Sequence, residues 1–363
     1  MSALVADVAR GRPAVRVRAT RYDALVAALC FVFQAGAYLD VWAHVHRPEL
    51  ETFFTPWHAV LYSGFFAVAA ITVAPLLRRP HGQGLMEAAP AGYELSVIGV
   101  LLFLLGGVLD MLWHTIFGIE VDVEALLSPS HLVLGLGSTL MLTGPLRAAW
   151  RRKDVTRAPW PALLSLAYLL SAFSFWTQYA HHLSRPWAAS GNRPTIASFA
   201  VVAPDPVFRN AAIQSVYVAQ ALGVASILLQ ASLLSAIVLL AMRRWRTFPP
   251  GAFVAIFGLN AAMIGAARDE VGLIVPAVVA GAVADALLAA LRPAPERARA
   301  LRAAAFAVPA SYFALFFAAL ALTRGLWWST SLWTGCIVLA GAAGWLLSWL
   351  VLPPSAPAGM ASE

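Results

Sequence analysis

The sequence predicts an all-α, polytopic integral membrane protein: a helical bundle of about ten transmembrane helices with cytoplasmic N- and C-termini. Three observations carry that expectation. Of 363 residues, 60% are hydrophobic and only 12% charged, with a mean hydropathy of +0.74, which is the balance of a chain dissolved in lipid. Apolar runs near the ~20 residues needed to cross a bilayer recur at 24–45, 57–76, 94–116, 129–148, 160–182, 211–242, 250–267, 271–291, 303–322 and 330–352. The basic residues then alternate from loop to loop. With the N-terminus inside, the inner segments hold 19 of the 25 Lys and Arg, as the positive-inside rule requires.

Taken in order, residues 1–22 read as a basic, disordered cytoplasmic tail with no cleavable signal peptide. Residues 23–150 hold spans one to four, residues 151–352 hold spans five to ten of the same bundle, and 353–363 form a disordered tail. The sixth span is long enough to tilt or to project beyond the membrane. Arg268-Asp269-Glu270 joins the seventh and eighth in a tight hairpin. Cys30 and Cys336 both fall within spans and read as small apolar fillers, which excludes a disulfide framework. The net charge of +7 is spread over separate short loops, so it reports topology and not a nucleic-acid partner. The expected surroundings are the lipid bilayer of a bacterial-type inner (plasma) membrane, with homo- or hetero-oligomerisation left open.

Seven of the eight histidines fall on the outer side of this topology, and they fall in a pattern. Span one ends in Asp40-x3-His44, a polar passage follows, and span two opens on Thr55-Pro56-Trp57-His58. Span three ends in Asp110-x3-His114, and span four opens on Ser128-Pro129-Ser130-His131. Residues four apart share one helix face. A hydroxyl residue followed by Pro is a helix-start signal, which sets the second His in the first turn of the next helix. Each copy thus offers one carboxylate and two imidazoles from neighbouring helix ends. The bland reading is an Asp–His hydrogen bond across one turn, and it would satisfy a single copy. The same frame repeated, as an internal duplication of a helical hairpin, favours two metal sites. Such a donor set suits copper, iron or zinc and argues against magnesium or calcium. His182, one turn beyond Gln178 at the end of span five, is a further candidate ligand, as a decayed third copy or a partner to the first two. His46 and the acids Glu49, Glu51, Glu120, Asp122 and Glu124 read as solvated loop residues, and His181 as structural. Trp42, Trp57, Trp113 and Trp176 read as interfacial anchors, and Asp285 as an intramembrane acid paired to a neighbouring helix.

The first motif, Asp40-x3-His44 followed by Phe54-Thr55-Pro56-x-His58, resembles a copper motif in the C subunit of the copper membrane monooxygenases, the particulate methane and ammonia monooxygenase group. The second motif is similar but carries Asp110 where that family's second site has Asn, and its His114–His131 spacing is longer. The likeness covers about residues 36–140. It implies copper on Asp40, His44 and His58, and on Asp110, His114 and His131. It further implies monooxygenase-like, oxygen-activating chemistry on a small apolar substrate, while the loop charge is what sets the site on the outer, periplasmic side. Two other readings stay open: a zinc-dependent membrane hydrolase using Glu120, Asp122 or Glu270 as its acid, and a non-enzymatic metal store or delivery protein. Of the two sets, the second is expected to be looser, because its histidines are further apart in sequence.

Overall fold

Each of the ten apolar runs contains helix in the computed structural model, which describes residues 13–47, 55–118, 123–153, 155–198, 202 and 204–353. The helices are α1 (Pro13–His46), α2 (Pro56–Leu77), α3 (Glu94–Phe117), α4 (Pro129–Leu142), α5 (Gly144–Arg151), α6 (Trp160–Trp176), α7 (Pro206–Arg244), α8 (Ala252–Ala267), α9 (Ile274–Leu291), α10 (Ala298–Thr323) and α11 (Thr330–Val351). No strand occurs among the described residues, only isolated bridges such as Arg157 to Thr247. Helix begins at Pro13, inside the stretch expected to be a disordered tail. Pro is at home in a first turn, and the Ala and Arg that follow are good helix formers. The rest of that tail, most of the C-terminal tail, and Glu49, Glu51, Phe54, Glu120 and Asp122 lie outside the described residues.

Among the described residues, seven helices are long and apolar enough to cross a membrane, or eight if α4 and α5 count as one span bent by 40°. The difference from ten has local causes. The fourth run breaks at Thr143-Gly144-Pro145, where proline cannot donate a helical hydrogen bond. The fifth ends at Trp176 instead of reaching residue 182, and α8 has only 16 residues, about 24 Å of helix. In the other direction, α7 has 39 residues, about 58 Å of helix against a hydrocarbon thickness of about 30 Å.

The chain divides into two compact units. The first holds α1 to α6; the second holds α7, nearly all of α8, and α9 to α11. In the first unit α1 packs on α2 and α3 on α4, each pair at backbone distance. A Cβ placed on Gly64 would lie 2.6 Å from the Cα of Phe33, and one on Gly137 would lie 2.6 Å from the backbone N of Phe103. Small residues at such crossings let helices meet without a hydrophobic driving force between them. Away from the histidines this unit is tied by polar groups. The Tyr93 hydroxyl donates to Asp23 at 2.9 Å and Arg152 to the same carboxylate at 2.5 Å. Arg147 donates to the Gly92 carbonyl, the Ser96 hydroxyl and the Leu140 carbonyl.

In the second unit the intramembrane Asp285 does pair with a neighbouring helix, but with its backbone. Its carboxylate accepts from the N–H groups of Phe253 and Val254 at 3.1 and 3.3 Å, in the first turn of α8. Those are the donors that a helix start leaves without partners. Cys30 and Cys336 are buried and unbonded to each other.

Candidate metal centre

The local sequence builds each half of the site as the helix-start signals imply. Thr55 is extended before α2, and its hydroxyl accepts from the backbone N–H of His58 at 3.1 Å. Ser128 is extended before α4, and its hydroxyl accepts from the N–H of His131 at 3.4 Å. Pro56 and Pro129 follow these caps. Both histidines therefore sit in a first helical turn, while Asp40 and Asp110 lie about two turns before the C-terminal ends of α1 and α3.

The six residues gather into two sets, within each of which one ligand atom per residue lies within 4.8 Å of the others. In the first, Asp40 Oδ2 is 3.6 Å from His44 Nδ1 and 3.5 Å from His58 Nε2. In the second, Asp110 Oδ2 is 3.5 Å from His114 Nε2, and Oδ1 is 3.3 Å from His131 Nε2. The paired imidazoles stand 5.8 and 5.7 Å apart by ring centre. These carboxylate–imidazole separations exceed the 2.7–3.2 Å usual for N–H···O bonds. The three separations that run to an Nε2, 3.3–3.5 Å, match the edge of a tetrahedron around an ion bonded at about 2.1 Å, which is roughly 3.4 Å.

The two sets differ in how firmly they are held. Asp110 is 3% exposed, and Oδ1 accepts from the Ser130 hydroxyl at 2.9 Å. His114 Nδ1 lies 3.2 Å from the Gly118 carbonyl, a partner that can only accept, so the proton sits on Nδ1 and Nε2 is left as a lone-pair donor facing Asp110. His131 Nδ1 is fixed by the Ser128 hydroxyl at 2.7 Å, which again turns Nε2 to Asp110. Supporting bonds of this kind orient metal-binding histidines. The first set is more open. His44 is exposed, and its Nδ1 lies 2.9 Å from the Asp40 carbonyl oxygen, which by the same reasoning takes the Nδ1 proton and leaves Nε2 to bind. Asp40 Oδ1 is buried without a hydrogen-bond partner among the described residues. An orphaned carboxylate oxygen inside a ring of two imidazoles fits a cation. The expectation of a looser second set is thus reversed, because Ser130, Ser128 and Gly118 do the orienting and sequence separation does not.

His182 joins neither set. The fifth run leaves the α-helix at Trp176 and continues as a 3₁₀ turn, Gln178–Ala180, so Gln178 and His182 do not share a helix face. His182 is stacked on His181 at 4.7 Å, ringed by Phe313 and Phe316, and its Nε2 is 3.2 Å from the Tyr312 hydroxyl. Burial pushes the His181 imidazole down to about 3 and lowers His182 as well, with the His181 charge a second cause there, so both are neutral residues of the second unit's core. His46 is also outside the sets, stacked on Trp42 with Nδ1 2.8 Å from the Trp42 carbonyl.

Sequence reasoning did not find Tyr62. It lies one helical turn after His58, and both residues, with Asp40, Asp110 and His131, line one cavity of about 90 Å³ within the first unit. The His58–Tyr62 spacing of four was the available signal. Comparison with protein-family models, with curated proteins and with solved structures finds no match to this chain.

Proposed function

We propose that this chain is a multi-pass membrane metalloprotein that holds two transition-metal ions, one on Asp40, His44 and His58, the other on Asp110, His114 and His131. The observation that carries the reading is the pair of Asp-His-His frames, each with one acid and two imidazoles whose ligand atoms lie within 4.8 Å of one another. Three protein donors leave a coordination position open, which suits reactivity better than a purely structural ion.

Within that reading the metal is copper and the chemistry monooxygenase-like, as the likeness of residues 36–140 to the copper monooxygenase C subunit implies. Copper bound there would supply the redox chemistry with O₂. The chain's own part is to hold and aim the ligands: Ser130 fixes the Asp110 carboxylate, and Gly118 and Ser128 fix the two imidazoles. Ten membrane passages with both termini cytoplasmic would set the helix ends bearing these residues at the periplasmic side of an inner membrane, following the loop charge. The zinc-hydrolase reading is weaker on one count. Of the three acids it could use, Glu270 is bound by Arg324 at 2.5 Å, while Glu120 and Asp122 lie outside the described residues.

Plasma mass spectrometry on purified protein loaded in turn with copper, zinc and iron tests the proposal. Wild type should hold two equivalents, with copper retained best. Asp40→Ala and Asp110→Ala should each lose one, because removing the carboxylate leaves a cation facing two neutral imidazoles. Wild-type metal content in both variants, or no metal in wild type, would reduce the two frames to helix-end polar contacts.

A further inference from the structure

The cavity that borders both sets has a polar group that neither set uses. Gln34, on α1, lines it and is 4% exposed, and its side-chain amide makes no hydrogen bond to another described residue. An amide that opens on a cavity bonds to whatever fills it, water or ligand, because a polar group shut off from both is destabilising. The lining also includes the aromatic rings of Phe33, Phe103 and Phe175, together with Asp40 and His58 of one set and Asp110 and His131 of the other. A volume of about 90 Å³ equals roughly three water volumes and falls short of the ~150 Å³ of a cavity that admits benzene.

We propose that the two Asp-His-His sets serve a single ligand cavity, and that Gln34 is its positioning residue. The ligand class is a small molecule with fewer heavy atoms than benzene. It carries at least one hydrogen-bonding atom that meets the Gln34 amide, with its metal-binding end toward the two sets. Such a cavity has room for one ligand of about three heavy atoms, shared by the two ions, and not for two of that size. The amide discriminates among ligands because a molecule without a polar atom leaves it unpaired. This inference rests on the metal reading above.

Azide is a suitable probe: three heavy atoms, linear, able to bind copper and to accept from an amide N–H. Copper-loaded protein is titrated with azide and followed by the azide-to-copper charge-transfer band, with copper counted separately by mass spectrometry. Wild type with two coppers should bind one azide. Gln34→Leu should keep both coppers while its azide dissociation constant rises about tenfold or more, as loss of one hydrogen bond to a charged group predicts. Gln34→Asn should recover part of the loss. Ala37→Phe, which fills the cavity from the same helix, should abolish the azide band with copper content unchanged. Two independent azides per protein, an azide affinity indifferent to Gln34, or azide binding that survives Ala37→Phe would each overturn the shared cavity while leaving the metal sites standing. Loss of copper in Gln34→Leu would also overturn it, because Gln34 would then be part of the scaffold. A wild type that holds no copper removes the metal reading and this inference with it.

Discussion

Ser130 and His181 show how much a single polar contact decides here. The Ser130 hydroxyl donates to Asp110 at 2.9 Å inside a buried set, and among the described residues no matching bond reaches Asp40 Oδ1. Ser130→Ala should therefore weaken metal binding at the second set by about 10- to 100-fold and leave the first unchanged. Competition titration against a chelator of known affinity measures this, and equal weakening of both sets would refute it. His181 makes its prediction through pH. Its Nδ1 accepts from the Leu183 N–H at 3.0 Å, a bond that protonation at that atom would break, and burial holds the imidazole down to about 3. Above the ordinary imidazole range both folded and unfolded states are neutral, and the residue adds no pH dependence. As pH falls below about 6.5 the unfolded chain takes up protons that the native one refuses, so stability declines by up to ~1.4 kcal/mol per pH unit for each such histidine. Detergent-solubilised protein should lose thermal stability between pH 7.5 and 5.5. His181→Asn, which can still accept from Leu183, should lose about half as much over that interval, His182 being the remaining group. An unaltered slope would show that His181 does not govern it.

Among the elements, the α1–α2 and α3–α4 pairs determine whether each set forms. Asp and one His come from a helix end, the second His from the next helix start, and the ligand atoms meet only if the two helices cross closely. Gly137 makes that possible for the second pair, since any Cβ there would press on the Phe103 backbone at 2.6 Å. Gly137→Leu must push α3 from α4. Overpacking of this kind costs about 1–3 kcal/mol, and the displaced helices should release the metal of Asp110, His114 and His131 while that of Asp40, His44 and His58 is kept. Copper content after gel filtration reads the outcome, and retention of both metals in a folded Gly137→Leu protein would show that the crossing does not set the ligand geometry. Asp285 makes a related point about elements. It satisfies the N–H groups at the start of α8, so its place inside an apolar helix follows from backbone hydrogen bonding and not from an ion path.

For the whole molecule, topology is the open quantity, and the natural cysteines make it measurable because Cys30 and Cys336 are both buried. Thr195, Gln83 and Lys153 are all exposed. In intact cells or right-side-out vesicles, Thr195→Cys should react with an impermeant maleimide, and Gln83→Cys and Lys153→Cys should not. The reverse pattern would put the histidine-bearing helix ends on the cytoplasmic side. The ten apolar stretches were set by the sequence alone, because lipid selects for unbroken apolar length. The helix starts at Thr55-Pro56 and Ser128-Pro129 were local as well, since a cap involves only residues three apart. How many of those stretches are long enough to span was not, because Gly144-Pro145 and the turn after Trp176 shorten helices that composition leaves continuous. Nor could chain order indicate which set is better held. Ser130 reaches Asp110 across 20 residues, Gln34 and Tyr62 meet the two sets only in a shared cavity, and His182 is enclosed by α10. Those are contacts between side chains distant in sequence, and only the packing of the helices brings them together.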